Sequence, residues 1–471
     1  MSLRIWQLLL LGGMLLSTGL IARPAAAELK AHGLFTDNML LQRDKKVAIW
    51  GTSDKPEKVT VTFGDQTVAA APKDGQWKVE LAPLAASAKP RELVISQGDQ
   101  TLTKKNVLVG DVWLCGGQSN MQWEVHQSAG AQEAIDTGKN PLIRLFTVSR
   151  EGDAAPRADL RAGNWTEATP ETVKTFSAVG YYFGRDLQKS QGVPIGLISS
   201  NIGGTTAERW MSKESIDSNP EIKDMTPTQG RNDLYNAMIA PLAPFGIKGA
   251  IWYQGESNAD RPYNYRHVLA GMIGSWRDTF GQGDFPFFIV ELAPFTAIVS
   301  EPIDQEWAVV RESMQWVASN VPNVDTVSIV DVGDESDIHP QKKQPVGERL
   351  ARAARAMAYK EKIVPAGPEY DSVTISGSQA IVKFKNVGSG LEAKDGELKG
   401  FTIAGEDMKF YNATAKIDGQ TVVVSSDKVA APKAVRFGWA NYPVVNLWNK
   451  DGLPASPFRT DDWEVVKQSS K

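Results

Sequence analysis

Ser119 lies in Gly116-Gly117-Gln118-Ser119-Asn120-Met121, directly after the apolar, β-type run of residues 106–114. A serine that follows a strand and a glycine turn sits on an exposed corner with its backbone N–H free. One residue can then supply both an attacking oxygen and an oxyanion donor. An ordinary turn whose hydroxyl bonds the backbone has the same local pattern, so nucleophilic chemistry requires a base elsewhere. The chain has four histidines. His32 falls in a β-type region, His267 lies inside a helical pattern, and His126 follows no strand tip. His339 stands in Asp337-Ile338-His339-Pro340, after a buried-strand pattern and before a helical one. Residues two apart on an extended segment share a face, and Pro340 biases His339 toward extended angles. Asp337 can therefore hold the imidazole tautomer and stabilise the imidazolium. Asp334 and Glu335 are alternative acids on the same loop. Asp-x-His alone is as often a loop ion pair; combined with a serine at another strand tip, it predicts a Ser119–His339–Asp337 triad. No HExxH, cysteine pair or second histidine near His339 suggests a metal, and no cofactor is expected. Cys115, the sole cysteine, reads as a buried small hydrophobe rather than a nucleophile.

The elements that must position these residues occupy the middle of the chain. From 106 to about 360, short apolar runs (106–114, 193–200, 247–253, 287–292, 326–330) alternate with helical patterns (176–191, 234–245 broken at Pro241 and Pro244, 263–280, 346–359). Near-continuous apolar strands alternating with helices predict a parallel sheet covered by helices on both faces. Ligands of such sheets sit at the carboxyl ends of the strands. Four tips are polar or glycine-rich: Gly117-Gln118-Ser119-Asn120, Gly203-Gly204-Thr205, Gln254-Gly255-Glu256-Ser257-Asn258, and residues 331–339. Together they predict one pocket. Residues 28–105 and 361–471 have β texture instead, with alternating runs such as 58–63 and 421–425 and turns at Asp74-Gly75 and Asp418-Gly419. These are expected to form N-terminal and C-terminal β-sandwich-like domains around the 106–360 catalytic domain.

Residues 1–27 read as a signal peptide: Arg4, an apolar stretch over 8–20, and Ala25-Ala26-Ala27 before an expected cleavage near Ala27. Secretion or periplasmic export is therefore expected. No cysteine near the cleavage point suggests a lipid anchor, and no later apolar run approaches membrane-spanning length. A formal net charge of −4 argues against nucleic acid or an anionic membrane as partner.

Taken together, Gly117-Gln118-Ser119-Asn120-Met121, Asn201-Ile202-Gly203-Gly204-Thr205, residues 234–242, residues 251–259, Asp337-Ile338-His339-Pro340 with residues 344–350, and residues 452–460 resemble the sialate O-acetylesterase-type family of the SGNH (GDSL-like) hydrolase superfamily. The motifs occur in the family order and span the whole middle region. The resemblance implies a flavodoxin-like three-layer sandwich and metal-free hydrolysis of acetyl esters on sugars. It implies Ser119 as nucleophile, His339 as base and Asp337 as its partner. The oxyanion would bind the backbone N–H groups of Ser119 and of Gly203 or Gly204. Where the superfamily places an asparagine donor, this chain has Gln254-Gly255-Glu256-Ser257-Asn258, so Gln254 is the expected third donor, with Asn258 second. The superfamily's Asp-x-x-His is shortened here to Asp-x-His.

The expected partner is an O-acetylated carbohydrate: sialic acid, or a plant polysaccharide or oligosaccharide such as xylan or xyloglucan. Most of the tryptophans are expected in the core. Trp123 and Trp210 follow motif tips and are the candidate sugar platforms, with Glu256 a further candidate contact. Arg209 is either a partner for a sugar carboxylate or part of a surface salt bridge. The competing readings are a carbohydrate-binding protein with a decayed hydrolase domain, which the full Ser119, Asp337 and His339 set opposes, and a peptidase, for which no sequence feature speaks.

Overall fold

The computed structural model describes residues 28–225 and 230–464. The leader expected over 1–27 lies outside them. Among the described residues no helix is long and apolar enough to cross a membrane.

The organising strand is β1, Gln100–Gly117. Its first half alternates between more and less exposed residues and pairs antiparallel with Ser87–Gln97. From Val107 onward every residue is buried, as a strand covered on both faces requires. The boundary expected near 105/106 thus falls inside one continuous strand, which joins the N-terminal β region to the central sheet.

That central sheet continues with β2 (Asn140–Thr147), β3 (Thr166–Ala168), β4 (Ile195–Asn201), β5 (Gly249–Tyr253), β6 (Phe287–Val290) and β7 (Val324–Val327), in the order β3-β2-β4-β1-β5-β6-β7. All neighbours are parallel except the β3–β2 edge pair. Without the outer β2 and β3, the order is second, first, third, fourth, fifth, as in flavodoxin-like doubly wound sheets. The chain is accordingly a mixed α/β protein with a large mixed sheet and additional β-rich C-terminal sheets.

Alternate residues of the strands enter two different cores. Val112, Leu114, Ala250, Trp252, Phe287 and Ile289 pack with α3 (Tyr265–Phe280) and α4 (Glu306–Asn320). Trp113, Cys115, Ile251, Tyr253, Phe288 and Val290 pack with α2 (Ala178–Gln191) and α5 (Gln344–Ala358). Cys115 is fully buried there, and burial pushes its thiol well above the ordinary range, so it is the expected hydrophobe. The apolar stretch 234–245 forms a π-type turn at Tyr235–Ile239 and a short 3₁₀ turn at Ala240–Leu242, interrupted as expected where Pro241 and Pro244 cannot donate ladder hydrogen bonds.

Two four-stranded antiparallel sheets dominate the C-terminal region. Their shared core includes Val382, Val422, Val424, Ile403, Val435 and Phe437.

Candidate active site

At the end of β1 the chain turns sharply. Gly117 has φ +146°, and a Cβ there would lie 2.2 Å from the Tyr253 carbonyl oxygen. Only glycine fits so close to β5. The turn opens directly into α1, Ser119–Gln122, with Ser119 as its first residue. The Ser119 N–H accordingly has no intrahelical acceptor. Ser177, the N-cap of α2, accepts from the Gly180 N–H at 3.1 Å and donates to the Met121 carbonyl at 2.6 Å. This anchors the Ser119 turn to the long helix beneath it.

The segment after β7 brings His339 to the same place. Its Nε2 lies 2.9 Å from Ser119 Oγ. On the other side, Nδ1 is 3.4 Å from Asp337 Oδ1, and the same oxygen accepts the His339 backbone N–H at 2.8 Å. With Nδ1–H toward the carboxylate, Nε2 is the free acceptor for the serine proton. Burial lowers the imidazole pKa from its ordinary value, with Lys343 adding to the effect and Asp337 opposing it. The ring is stacked on Trp123, centroids 5.0 Å apart at 16°.

The alternative acids have other tasks. Asp334 accepts from the Ser336 N–H and hydroxyl, both at 2.8 Å, and from the Asp337 N–H at 3.1 Å, so it shapes the turn. Glu335 accepts from the Ile298 N–H at 3.0 Å. His126 is exposed and sits against Glu124 and the Lys174 carbonyl.

The tip of β4 lies against Ser119: a Cβ on Gly203 would be 3.1 Å from that of Ser119. The Gly203 N–H donates to Gln122 Oε1 at 2.8 Å, so this donor is already held by a neighbouring amide. Gly204 takes φ +69° in the same turn.

Four expected site residues stand apart from the serine. Gln254 is fully buried; its amide donates to the Thr205 carbonyl (3.0 Å) and Asn258 Oδ1 (2.7 Å), while Oε1 accepts from Tyr265 (2.9 Å). Asn258 donates to Glu208 at 3.0 Å and accepts the Ala207 N–H at 3.0 Å. Both amide groups are committed to this buried network, so neither is presented to Ser119 Oγ. Trp210 is wholly buried, its indole N–H on Thr205, and is core rather than a sugar platform. Arg209 makes a bidentate pair with Asp233, at 2.9 and 2.6 Å, the salt-bridge alternative. Glu256 is near the site but faces inward, accepting from Asn120 at 2.6 Å.

Sequence reasoning missed three neighbours: Gln122, Asn120 and Lys343. The last is completely buried, its ammonium on Asn120 Oδ1. The second lysine of Lys342-Lys343, just before a helix, gives no signal of burial in the sequence. For Asn120 the signal is its place inside the Gln118-Ser119-Asn120 motif.

A serine oxygen, an imidazole and a carboxylate in line, at the carboxyl end of a parallel sheet, form the constellation of the serine hydrolases. Residues 109–356 match the family described as "Carbohydrate esterase, sialic acid-specific acetylesterase". The mouse sialate O-acetylesterase is 30% identical, over 95% of this chain and 97% of its own; the human one is 30% identical over 93% of each. A crystal structure of a carbohydrate acetylesterase from Xanthomonas citri superposes with TM-score 0.87 and 41% identity, covering 92% of this chain and all of that one. The chain belongs to the sialic acid-specific acetylesterase family of carbohydrate esterases, and it is a carboxylic ester hydrolase.

Proposed function

We propose that this protein removes O-acetyl groups from carbohydrate by way of an acetyl-Ser119 intermediate. The observation that carries the reading is the 2.9 Å contact between Ser119 Oγ and His339 Nε2, with Asp337 at Nδ1. Ser119 attacks the acetyl carbonyl as His339 accepts its proton. The oxyanion is received by the Ser119 N–H and by the Gly203 N–H once Gln122 releases it. Each such donor contributes on the order of a hundredfold or more. His339 then protonates the departing sugar oxygen, and water hydrolyses the acetyl-enzyme by the same route. The names of the relatives support a sugar ester as substrate. We read the middle region, 106–360, as an SGNH-type sandwich, the flanking regions as auxiliary β domains, and residues 1–27 as a leader for secretion or periplasmic export.

The candidate substrates are O-acetylated sialic acid, xylan and xyloglucan. Acetate release from each by the purified protein tests the proposal. Turnover of one or more of them is expected. A folded protein that hydrolyses no acetyl ester, including an aryl acetate, would instead be a carbohydrate-binding protein.

A further inference from the structure

Asn120 follows the nucleophile, but its side chain points into the protein and is 1% exposed. Nδ2 donates to Glu256 Oε1 at 2.6 Å and to the Ile338 carbonyl at 3.0 Å. Oδ1 accepts from the Lys343 ammonium. A carboxylate and a carbonyl on one side, with an ammonium on the other, permit only this orientation of the amide. Four separate segments meet here: α1, the tip of β5, the histidine loop, and the residue preceding α5.

The surroundings are not those of a generic buried amide. Lys343 Nζ lies 5.8 Å from the centre of the Trp123 ring, the ring on which His339 stacks, and 5.3 Å from that of Tyr253. Burial lowers the lysine pKa to about 7 and raises that of Glu256. Glu256 Oε2 is buried and has no hydrogen-bond partner among the described residues. Burying such charges is a poor way to gain stability, and a use in fixing geometry is the better-supported role for them. Here the geometry is specific. Asn120 is covalently next to Ser119, and Ile338 is covalently next to His339. One amide thus ties the two reacting side chains to a common point.

We propose that Asn120, held in place by Glu256 and Lys343, is a positioning residue that sets the Ser119–His339 separation by gripping the Ile338 carbonyl. The proposal rests on Ser119 and His339 being the reacting pair. It predicts a separation of roles within the network. Glu256 and Lys343 hold Asn120, and only the bond to Ile338 controls the histidine.

The test uses the full chain with Asn120→Ala, the double variant Asn120→Asp/Glu256→Gln, and Ser119→Ala as reference. The double variant keeps an acceptor for Lys343, reverses the donor and acceptor between positions 120 and 256, and conserves their summed charge. It removes the donor to Ile338. Steady-state kinetics on p-nitrophenyl acetate are expressed per folded molecule, with the folded fraction taken from near-ultraviolet circular dichroism. The double variant is expected to melt within about 4 °C of the parent. Its kcat should fall on the order of 10²-fold, the size of effect a displaced catalytic group produces, with KM little changed. Asn120→Ala should lose at least as much kcat and also melt lower. Parental kcat in either variant would overturn the proposal, as would a loss that disappears when expressed per folded molecule. If the double variant does not fold, Asn120→Ala decides by the same two criteria at a temperature where it is folded. Retained turnover in Ser119→Ala would instead overturn the assignment of the reacting pair, a distinguishable failure.

Discussion

The tips of β1 and β5 lie side by side, with Gly117 in register with Tyr253. Each bends at a glycine of unusual φ, +146° at Gly117 and +154° at Gly255, and each carries a glutamine, a serine and an asparagine. Their polar groups end in different places. At the β1 tip Ser119 Oγ meets His339. At the β5 tip the Gln254 and Asn258 amides bind Thr205, Tyr265 and Glu208 below the site, and Ser257 meets Gln118 through its backbone N–H at 3.3 Å. A polar residue at a strand's carboxyl end is therefore only a candidate for chemistry. What decides is which partners its hydrogen-bonding groups meet: an imidazole for Ser119 Oγ, a buried polar network for the β5 amides, since a buried amide must satisfy its groups somewhere.

Substitutions at the two tips should separate sharply. Ser119→Ala is expected to cost at least on the order of 10⁴-fold in kcat on an aryl acetate, whereas Ser257→Ala should stay within about threefold. Comparable losses at both serines would erase the distinction. Asp337→Asn comes next. Loss of the carboxylate that orients the imidazole should lower kcat by about 10²- to 10⁴-fold; the smaller end fits an aspartate whose side chain is 46% exposed and 3.4 Å from the ring. Asp334→Asn, at the turn, should cost much less, and the reverse ranking would exchange the two roles. At the β5 tip, Gln254→Ala should act on stability, removing about 1–3 kcal/mol for each buried partner left unsatisfied in chemical denaturation, while kcat per folded molecule falls less than tenfold. A larger kinetic than thermodynamic effect would return Gln254 to the reaction. The smallest effect is the pH profile. Protonated His339 cannot act as base, and burial disfavours that form. More acid is then needed to inactivate the enzyme, so the acidic limb of kcat/KM should have its midpoint below 6.5, the ordinary histidine value. A midpoint above it would mean that Asp337 outweighs burial and Lys343.

The central sheet was legible because period and length are local properties: apolar runs such as 193–200 and 247–253 can be buried on both faces in only a few ways. The Ser119, His339 and Asp337 group was legible as well, since strand-tip position, scarcity of histidine and the Asp-x-His spacing all point to it. Residues whose orientation depends on distant partners were not. Trp210 and Arg209 follow a motif tip just as Trp123 does, yet Thr205 and Asp233 hold the first two while Trp123 backs the histidine. Nothing near Lys343 in the chain announces a buried ammonium; its partner Asn120 is 223 residues away. Across 105/106 the sequence changes from alternating to continuous apolar character, which reads as a change of region, while one strand, Gln100–Gly117, runs through it.

The most direct measurement of the central claim is mass spectrometry of the protein quenched during turnover of an acetyl ester. The expected result is an acetyl group on the peptide containing Ser119, accumulating before the steady state and absent from Ser119→Ala. Turnover without that adduct, or an acetyl group on a different residue that persists in Ser119→Ala with activity retained, would contradict it.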